Sequence, residues 1–351
     1  MRVVHVQRIA GIGGSERHLL TLLPALAEHG VAPAFVGIDL PGADPFYEEL
    51  EAAGVPFARL RRPLGLAAAV RRFRPVLLHT HLVHADVWGA ALVRGVAAVS
   101  TKHNDDRFRT GPFRYVERLL ARRARAVIAI SDALRRFNVE RVGLPPEKVE
   151  VVRYGLDRLP EPWGENPPLQ IADGAPVLLL VGRLARQKGV DVAVRALAQV
   201  RREHPEAVLL VLGEGPQRQA LEELARSLGV AGAVVMPGRV GDVAALYRRA
   251  ALVVHPVRWE GFGLALLEAM LAERAVVASA VSSAPEVVAD GETGLLVAPD
   301  DPQELATAIS SLLAEPARAE RLGRAGLARA RAEFSVARMA ERTVAVYRRV
   351  S

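Results

Sequence analysis

Two parallel, doubly wound α/β halves are the fold that this sequence predicts, on three observations. Short apolar runs alternate with amphipathic helical stretches along the whole chain, glycine-rich turns follow the first strand of each half, and a Pro/Gly-rich break separates the halves. With 351 residues, two domains of ordinary size are expected, each able to bury its own core. Half of the residues are hydrophobic, yet no apolar run approaches the roughly 18–20 residues that span a bilayer. The chain opens on a short strand rather than on a basic segment with a long apolar core, so a cytoplasmic protein is expected. It has no Cys, which excludes a disulfide framework, a thiolate nucleophile and thiolate metal ligands.

The first strand, residues 3–6, runs into Gly11-Ile12-Gly13-Gly14-Ser15-Glu16-Arg17-His18 and then a helix carrying Leu19, Leu22, Leu23 and Leu26. Such a turn lets backbone approach a phosphate. It is not a dinucleotide fingerprint, because the third glycine would fall at Glu16. Strands follow at 34–38, 76–80, 97–101, 127–131 and 149–153, with helices at 45–53, 63–72, 86–94 and 132–137. In a parallel sheet ligands bind outside the carboxyl ends of strands, where Gly14, His81 and His103 fall. A lone histidine there can equally be a structural strand cap. Residues 107–125 carry seven Arg against one acid, Glu117, with Phe113, Val116, Leu119 and Leu120 interleaved. That is a basic amphipathic helix, fit for an anionic membrane surface or an acidic acceptor. The alternative is a solvated face whose Arg stems pack on the core. On the first reading Arg107, Arg109, Arg114, Arg118 and Arg122 form an acceptor or membrane side.

Charge supports an acidic partner for this half. Residues 1–157 hold 23 Lys+Arg against 16 Asp+Glu, so the whole formal excess of +7 lies there. No helix-turn-helix, finger or RNP pattern accompanies it and aromatics are sparse, so nucleic acid is not an expected partner.

Six Pro and Gly between 160 and 174 make 158–174 the linker, after a first domain of residues 1–157. The second domain, 175–334, restarts with a strand at 177–181 and Gly182-Arg183-Leu184-Ala185-Arg186-Gln187-Lys188-Gly189, then a helix from 190. Arg183 and Lys188 leave the carboxyl end of that strand, two fixed cations suited to a diphosphate and to charge developing on a leaving group. A strand at 208–212 leads to Gly213-Glu214-Gly215-Pro216 and a helix of Leu221, Leu224 and Leu228. A strand at 234–236 ends at Pro237-Gly238-Arg239-Val240, a helix covers 244–250, and a strand at 250–255 enters the stretch His255 to Met270. Glu260 sits in the turn of this stretch and Glu268 in the following helix. The turn aims the N–H groups of Phe262, Gly263 and Leu264 outward, a ready anion seat. Two carboxylates flanking an anion seat suit a ligand with both hydroxyls and phosphate, as in a nucleotide sugar. A strand at 275–278 and helices at 302–313, 316–334 and 335–350 complete the chain.

Glu260 and Glu268, with the stretch around them, resemble the E-x7-E signature of retaining glycosyltransferases of the GT-B fold, family 4 type. The resemblance continues through Gly182-Arg183-Leu184, Gln187-Lys188-Gly189, Gly213 to Pro216, Pro285-Glu286-Val287-Val288 and Gly291 to Val297, in the family's order. In the first half Gly13 to Arg17 resembles the G-G-x-E-R loop, which contacts the donor. Ser100 to His103 resembles the position whose histidine reaches the donor sugar, and Asp157 closes a motif in which Tyr154 stands where Asn is common. Serines at 282 and 283 replace glycines that the family commonly has ahead of Pro285-Glu286.

The resemblance implies two Rossmann-like domains facing a cleft, with the terminal helix at about 335–351 packing back on the first. It implies transfer of a sugar, with retention, from a nucleoside-diphosphate sugar to a sugar, lipid-linked or polyol acceptor, in envelope glycolipid, polysaccharide or other glycoconjugate synthesis. His103, Arg183, Lys188 and Glu260 would serve catalysis. Gly13, Gly14, His81, Gly213, Arg239, Phe262, Gly263, Leu264 and Glu268 would bind donor. No metal or cofactor is expected, since no D-x-D pair follows a strand and the fixed cations supply the electrostatics. Rival readings are an epimerase of the same fold, which needs no acceptor, and a glycosidase, which would have no use for Arg183 and Lys188. A two-lobed binding protein would be expected to carry an export signal.

Overall fold

The computed structural model describes residues 1–351 apart from Trp163, Gly164, Glu165, Pro167, Gln170 and the side chain of Arg107. Most of the expected 158–174 linker is described, and those five of its residues lie outside the description. The chain divides into two compact units, Met1–Gly155 with Phe334–Ser351, and Leu156–Glu333.

Among the described residues the first unit contains β1 (Arg2–Ile9), α1 (Gly14–Glu28), β2 (Ala32–Asp39), α2 (Asp44–Ala52), β3 (Phe57–Leu60), α3 (Leu66–Arg72), β4 (Leu77–His81), α4 (Leu82–Leu92), β5 (Ala97–Lys102), α5 (Phe113–Arg123), β6 (Ala126–Ala129), α6 (Asp132–Arg136) and β7 (Val149–Val151). The strands form one parallel sheet in the order β3-β2-β1-β4-β5-β6-β7. The order runs outward from β1 in one direction and from β4 in the other, so a topological switch point lies between them. The pleat then sorts side chains by parity. Val4, Val6, Leu78 and Ala85 join one apolar cluster with Leu66 and Val70, while His5, His79 and His81 alternate with them along β1 and β4. Register pairs His5 with His79 and His81 with Thr101, so these polar side chains stack across three strands.

The second unit contains β8 (Val177–Val181), α7 (Val190–Val200), β9 (Val208–Leu212), α8 (Arg218–Ser227), β10 (Val234–Gly238), α9 (Val243–Arg249), β11 (Leu252–His255), α10 (Leu264–Leu271), β12 (Val276–Ser279), α11 (Ala284–Val287), β13 (Gly294–Val297), α12 (Pro302–Ala314) and α13 (Pro316–Glu333). Its parallel sheet runs β10-β9-β8-β11-β12-β13, with the switch point between β8 and β11. Leu178, Leu180, Leu209, Val211, Val254 and Val277 are continuous with α7 and α12 in its core, as expected where both faces of a parallel sheet are covered. The last helix, α14 (Val336–Val350), belongs to the first unit and packs on α1. The expected alternation is present, with two additions. Phe57–Leu60 and Gly294–Val297 are edge strands, too short and too close to turn residues to register as strands by pattern alone.

Candidate active site

In the second unit Lys188 and Glu260, both singled out from sequence, meet at the β8/β11 switch point. Gly182 ends β8 and Gly189 opens α7 in the left-handed region, at φ +62°. A side chain on Gly189 would place its Cβ 1.8 Å from the Pro256 carbonyl oxygen, so only glycine lets this turn lie against the turn after β11. Three hydrogen bonds fix the two turns together. Arg258 N–H donates to the Gln187 carbonyl at 2.8 Å, Gln187 Nε2 to the Trp259 carbonyl at 3.0 Å, and Arg258 Nη1 to the Arg186 carbonyl at 2.8 Å. Arg258 also grips Asp191 with two bonds of 2.8 Å and Asp300 at 2.6 Å.

This frame brings Lys188 Nζ into contact with Glu260 Oε2. Burial alone would raise the Glu260 carboxyl, but Lys188, with a smaller contribution from His255, holds it below the usual carboxylate range. It is therefore ionised at neutral pH. Behind it His255 is buried, and burial plus the Lys188 charge push its imidazole down to about 4, so it is neutral. Arg183 and Arg239 are exposed, and neither guanidinium has a hydrogen-bond or ion-pair partner among the described residues. Two cations are thus available at the carboxyl ends of β8 and β10.

Gly263, at φ +91°, caps α10, and Leu264 opens it. The first N–H groups of such a helix have no partner within the helix. The Phe262 ring is buried, and its carbonyl accepts from Ser283 Oγ at 2.9 Å. Serine at 283 therefore braces the turn rather than crowding it. Glu268 is half-buried, its Oε2 accepting from the Tyr247 hydroxyl at 2.7 Å. Gly213 serves packing. A Cβ there would meet the Gly182 carbonyl oxygen at 2.2 Å, and its N–H is spent on the Gly238 carbonyl at 2.9 Å.

In the first unit Gly13 and Gly14 lie exposed at the start of α1. Glu16 reaches back to the Gly13 N–H at 3.1 Å and accepts from Gln7 Nε2 at 2.5 Å. His103, at the end of β5, is one member of a buried chain that sequence reasoning missed. His103 Nδ1 meets the Tyr154 hydroxyl, and His103 Nε2 lies 3.0 Å from His81 Nδ1. His81 Nε2 lies 3.0 Å from His5 Nδ1, His5 Nε2 3.3 Å from the Tyr347 hydroxyl, that hydroxyl 2.5 Å from His79 Nδ1, and His79 Nε2 2.6 Å from Thr101 Oγ1. His18 stacks on Tyr154 at 4.3 Å between ring centroids. Burial lowers all five imidazoles, His5 and His18 to about 3, so each is neutral with one donor and one acceptor nitrogen.

His81, expected to bind donor, is fully buried, and both of its nitrogens are engaged by other imidazoles, one of them His103. His103 is 5% exposed, and its Nδ1 is open to a ligand only where the Tyr154 hydroxyl yields. His5, His79 and His81 also bring one nitrogen each within 4.8 Å of one another, the spacing of a metal-binding set. Each of those nitrogens already has a hydrogen-bond partner, and a metal would have to displace it. The histidines at 79 and 81, two apart in a strand, were the sequence signal for a shared face.

The basic segment is corrected in part. Arg109 is 2% exposed, donating to Glu117 at 2.7 and 3.0 Å, to the Asn104 carbonyl at 2.6 Å and to Asn138 Oδ1 at 2.7 Å. Lys102, equally buried, pairs with Asp86 at 2.6 Å and lies 3.6 Å from Glu117. Burial opposes ionisation of Glu117, but Lys102 and Arg109 hold it below the carboxylate range. Arg109 is thus an internal cation, because a lone buried carboxylate needs one. Arg118 gives its Nε to the Val142 carbonyl at 2.8 Å. Arg107 lies outside the described side chains. Arg122 is exposed, and Arg114 is half-buried with a 3.0 Å bond to the Tyr115 hydroxyl. With Glu117 and Ala121 turned inward, α5 and the turn before it leave Phe108, Tyr115, Val116 and Leu119 in solvent.

Comparison with known proteins gives this geometry its family. Residues 12–158 match the model described as Glycosyltransferase Family 4, and residues 164–329 match Glycosyl transferases group 1. The α-maltose-1-phosphate synthase of Mycobacterium tuberculosis is 32% identical over 96% of this chain and 96% of its own length. The lipopolysaccharide core mannosyltransferase LpcC of Rhizobium leguminosarum is 30% identical over 97% of this chain and 93% of its own. Among solved structures, Anabaena HepE in complex with UDP and glucose superposes with a TM-score of 0.84 at 23% identity, covering 99% of this chain and all of that one. The chain belongs to the group 1, family 4 glycosyltransferases. It is a glycosyltransferase with two Rossmann-like sheets of the GT-B class.

Proposed function

We propose that this enzyme transfers a sugar from a nucleoside-diphosphate sugar to an acceptor hydroxyl with retention of configuration. The observation that carries the reading is the Lys188–Glu260 pair at the β8/β11 switch point, with Arg183, which has no partner among the described residues, just after β8. A diphosphate takes Arg183, Lys188 and the opening of α10; sugar hydroxyls take Glu260, and ribose hydroxyls take Glu268. The bond from the anomeric carbon to the phosphate oxygen breaks with its electron pair going to the nucleoside diphosphate. The acceptor oxygen bonds the same face of that carbon, and its proton passes to the departing phosphate oxygen. Arg183 and Lys188 stabilise the charge that develops there, the work a divalent ion does elsewhere, so no metal is needed. HepE, solved with UDP and glucose, supports a nucleoside-diphosphate donor.

Relatives named for a maltose phosphate and for lipopolysaccharide core differ in acceptor, so the acceptor class rests on this chain's own surface. Four exposed apolar side chains beside Arg114 and Arg122 suit an anionic membrane interface. We therefore assign a lipid-linked acceptor in envelope glycoconjugate synthesis, reached from the cytoplasmic face. Among the described residues no helix is long and apolar enough to cross a membrane.

A thermal-shift screen of UDP-, GDP- and ADP-sugars tests the donor. A bound donor at 100 times its Kd stabilises by about 2.7 kcal/mol. Nucleotide release that requires acceptor separates transfer from epimerisation and hydrolysis. No shift with any nucleotide sugar would defeat the reading.

A further inference from the structure

His255 has no place in the chemistry above, yet it sits directly beneath it. It ends β11 and is 3% exposed, and its Nε2 has no hydrogen-bond partner among the described residues. That nitrogen lies 3.9 Å from Glu260 Oε2, too far for a hydrogen bond. It also lies 3.4 Å from where a Cβ on Gly263 would stand, so it points at the turn that leads into α10. A buried polar nitrogen without a partner is costly and calls for a reason.

The neighbouring ion pair supplies the reason. Glu260 is held by Lys188, but the proposed reaction needs Lys188 on the diphosphate and Glu260 on the sugar. When Lys188 turns to phosphate, the buried carboxylate loses its main cationic partner. The Gly261 N–H reaches Oε1 at 3.3 Å, so Oε2, the oxygen that Lys188 held, is the one that needs another donor. The only imidazole within 4 Å among the described residues is His255. A neutral imidazole carries one proton and can bear it on Nε2 without any change in net charge. Closing 3.9 Å to about 2.9 Å takes a shift of roughly 1 Å, within the give of a glutamate side chain.

We propose that His255 is a positioning residue for Glu260: when a nucleoside diphosphate draws the Lys188 ammonium to its phosphates, the His255 Nε2–H takes over the carboxylate and holds it toward the sugar. The empty nitrogen is thus one position of a two-position clasp, and Glu260 exchanges one partner for another rather than standing alone. This rests on the donor-site reading above.

The test uses the full chain with 15N-labelled histidine. UDP, GDP and ADP are each added, binding is established by thermal shift, and His255 is assigned from its absence in the H255L spectrum. With the diphosphate that binds, Nε2 of His255 moves to the shift of a protonated, hydrogen-bonded nitrogen. In kinetics H255L lowers kcat about 10- to 100-fold with donor affinity nearly unchanged. H255Q, whose amide N–H reaches a similar place, restores most of it, which a mere packing role would not require. If a diphosphate binds and Nε2 does not respond, the clasp is wrong although the donor site stands. If H255L keeps turnover within twofold of the parent, it is wrong as well. If no diphosphate binds at all, the donor-site reading itself fails and takes the clasp with it.

Discussion

Acid should unfold the first unit well before its carboxylates are protonated, because of its five buried imidazoles. His5 and His18 have pKa values lowered from 6.5 to about 3, and His79, His81 and His103 are lowered in the same direction. Between those limits the unfolded chain binds protons that the folded chain refuses. Stability is therefore complete above pH 6.5 and is lost as pH falls toward 3. At pH 5 an unfolded histidine is almost fully charged and these are almost fully neutral, which makes each worth about 2 kcal/mol. His5 and His18 together cost about 4 kcal/mol there, a large share of the 5–15 kcal/mol that holds a domain. The other three add to the loss. Glu16 works the other way, since burial raises its carboxyl, but it is one group against five. Glu117, held low, contributes stability that is fully present above the ordinary carboxylate range and is lost only below it. Urea unfolding followed by circular dichroism at pH 7.5, 6 and 5 measures the slope. His18→Phe should make it shallower, because that ring stacks on Tyr154 while its Nδ1 has no partner among the described residues. The variant should gain about 2 kcal/mol relative to the parent between pH 7.5 and pH 5. A flat profile over that range, or an unchanged slope in the variant, would refute the neutral buried chain.

Further substitutions separate chemistry from scaffold. Arg183→Ala should cut turnover about 10²–10³-fold with Tm unchanged, since its guanidinium is free; Lys188→Ala should cut turnover and also lower Tm, because Glu260 is left buried without its cation. Near-normal turnover at saturating donor in both would remove them from the reaction. Glu268→Ala should weaken donor binding by about 1–3 kcal/mol in calorimetry, and unchanged affinity would take it out of the site. Arg109→Ala should destabilise by about 3–5 kcal/mol with no specific effect on vesicle binding, whereas Arg114 and Arg122 to Gln with Leu119→Ser should abolish co-sedimentation with anionic but not neutral vesicles and leave Tm in place. If the triple variant sediments like the parent, α5 does not meet a membrane.

What could be read from sequence depended on whether the signal was local. Alternating strands and helices, and the glycine turns at Gly13, Gly189 and Gly263 that lead into helices, are local patterns and were legible, whereas the Lys188–Glu260 contact spans 72 residues. Non-local partners were not legible. Nothing along the chain says that Tyr347 meets His5 and His79, because 342 and 268 residues separate them and only sheet register and the docking of α14 bring them together. The basic segment misled for a related reason. Pattern weighed its arginines as one face, yet Glu117 faces inward, and a buried carboxylate draws in the nearest cations able to reach it. Arg109 and Lys102 therefore turn inward with it, while Val116 and Leu119 remain in solvent and Phe113 and Leu120 are half-buried. One buried acid among seven arginines thus sets which side of α5 meets the world. The same logic holds at the other site, where the buried Glu260 draws in Lys188 and leaves Arg183 free. In both units the carboxylate decides which cation is scaffold and which is available to a ligand.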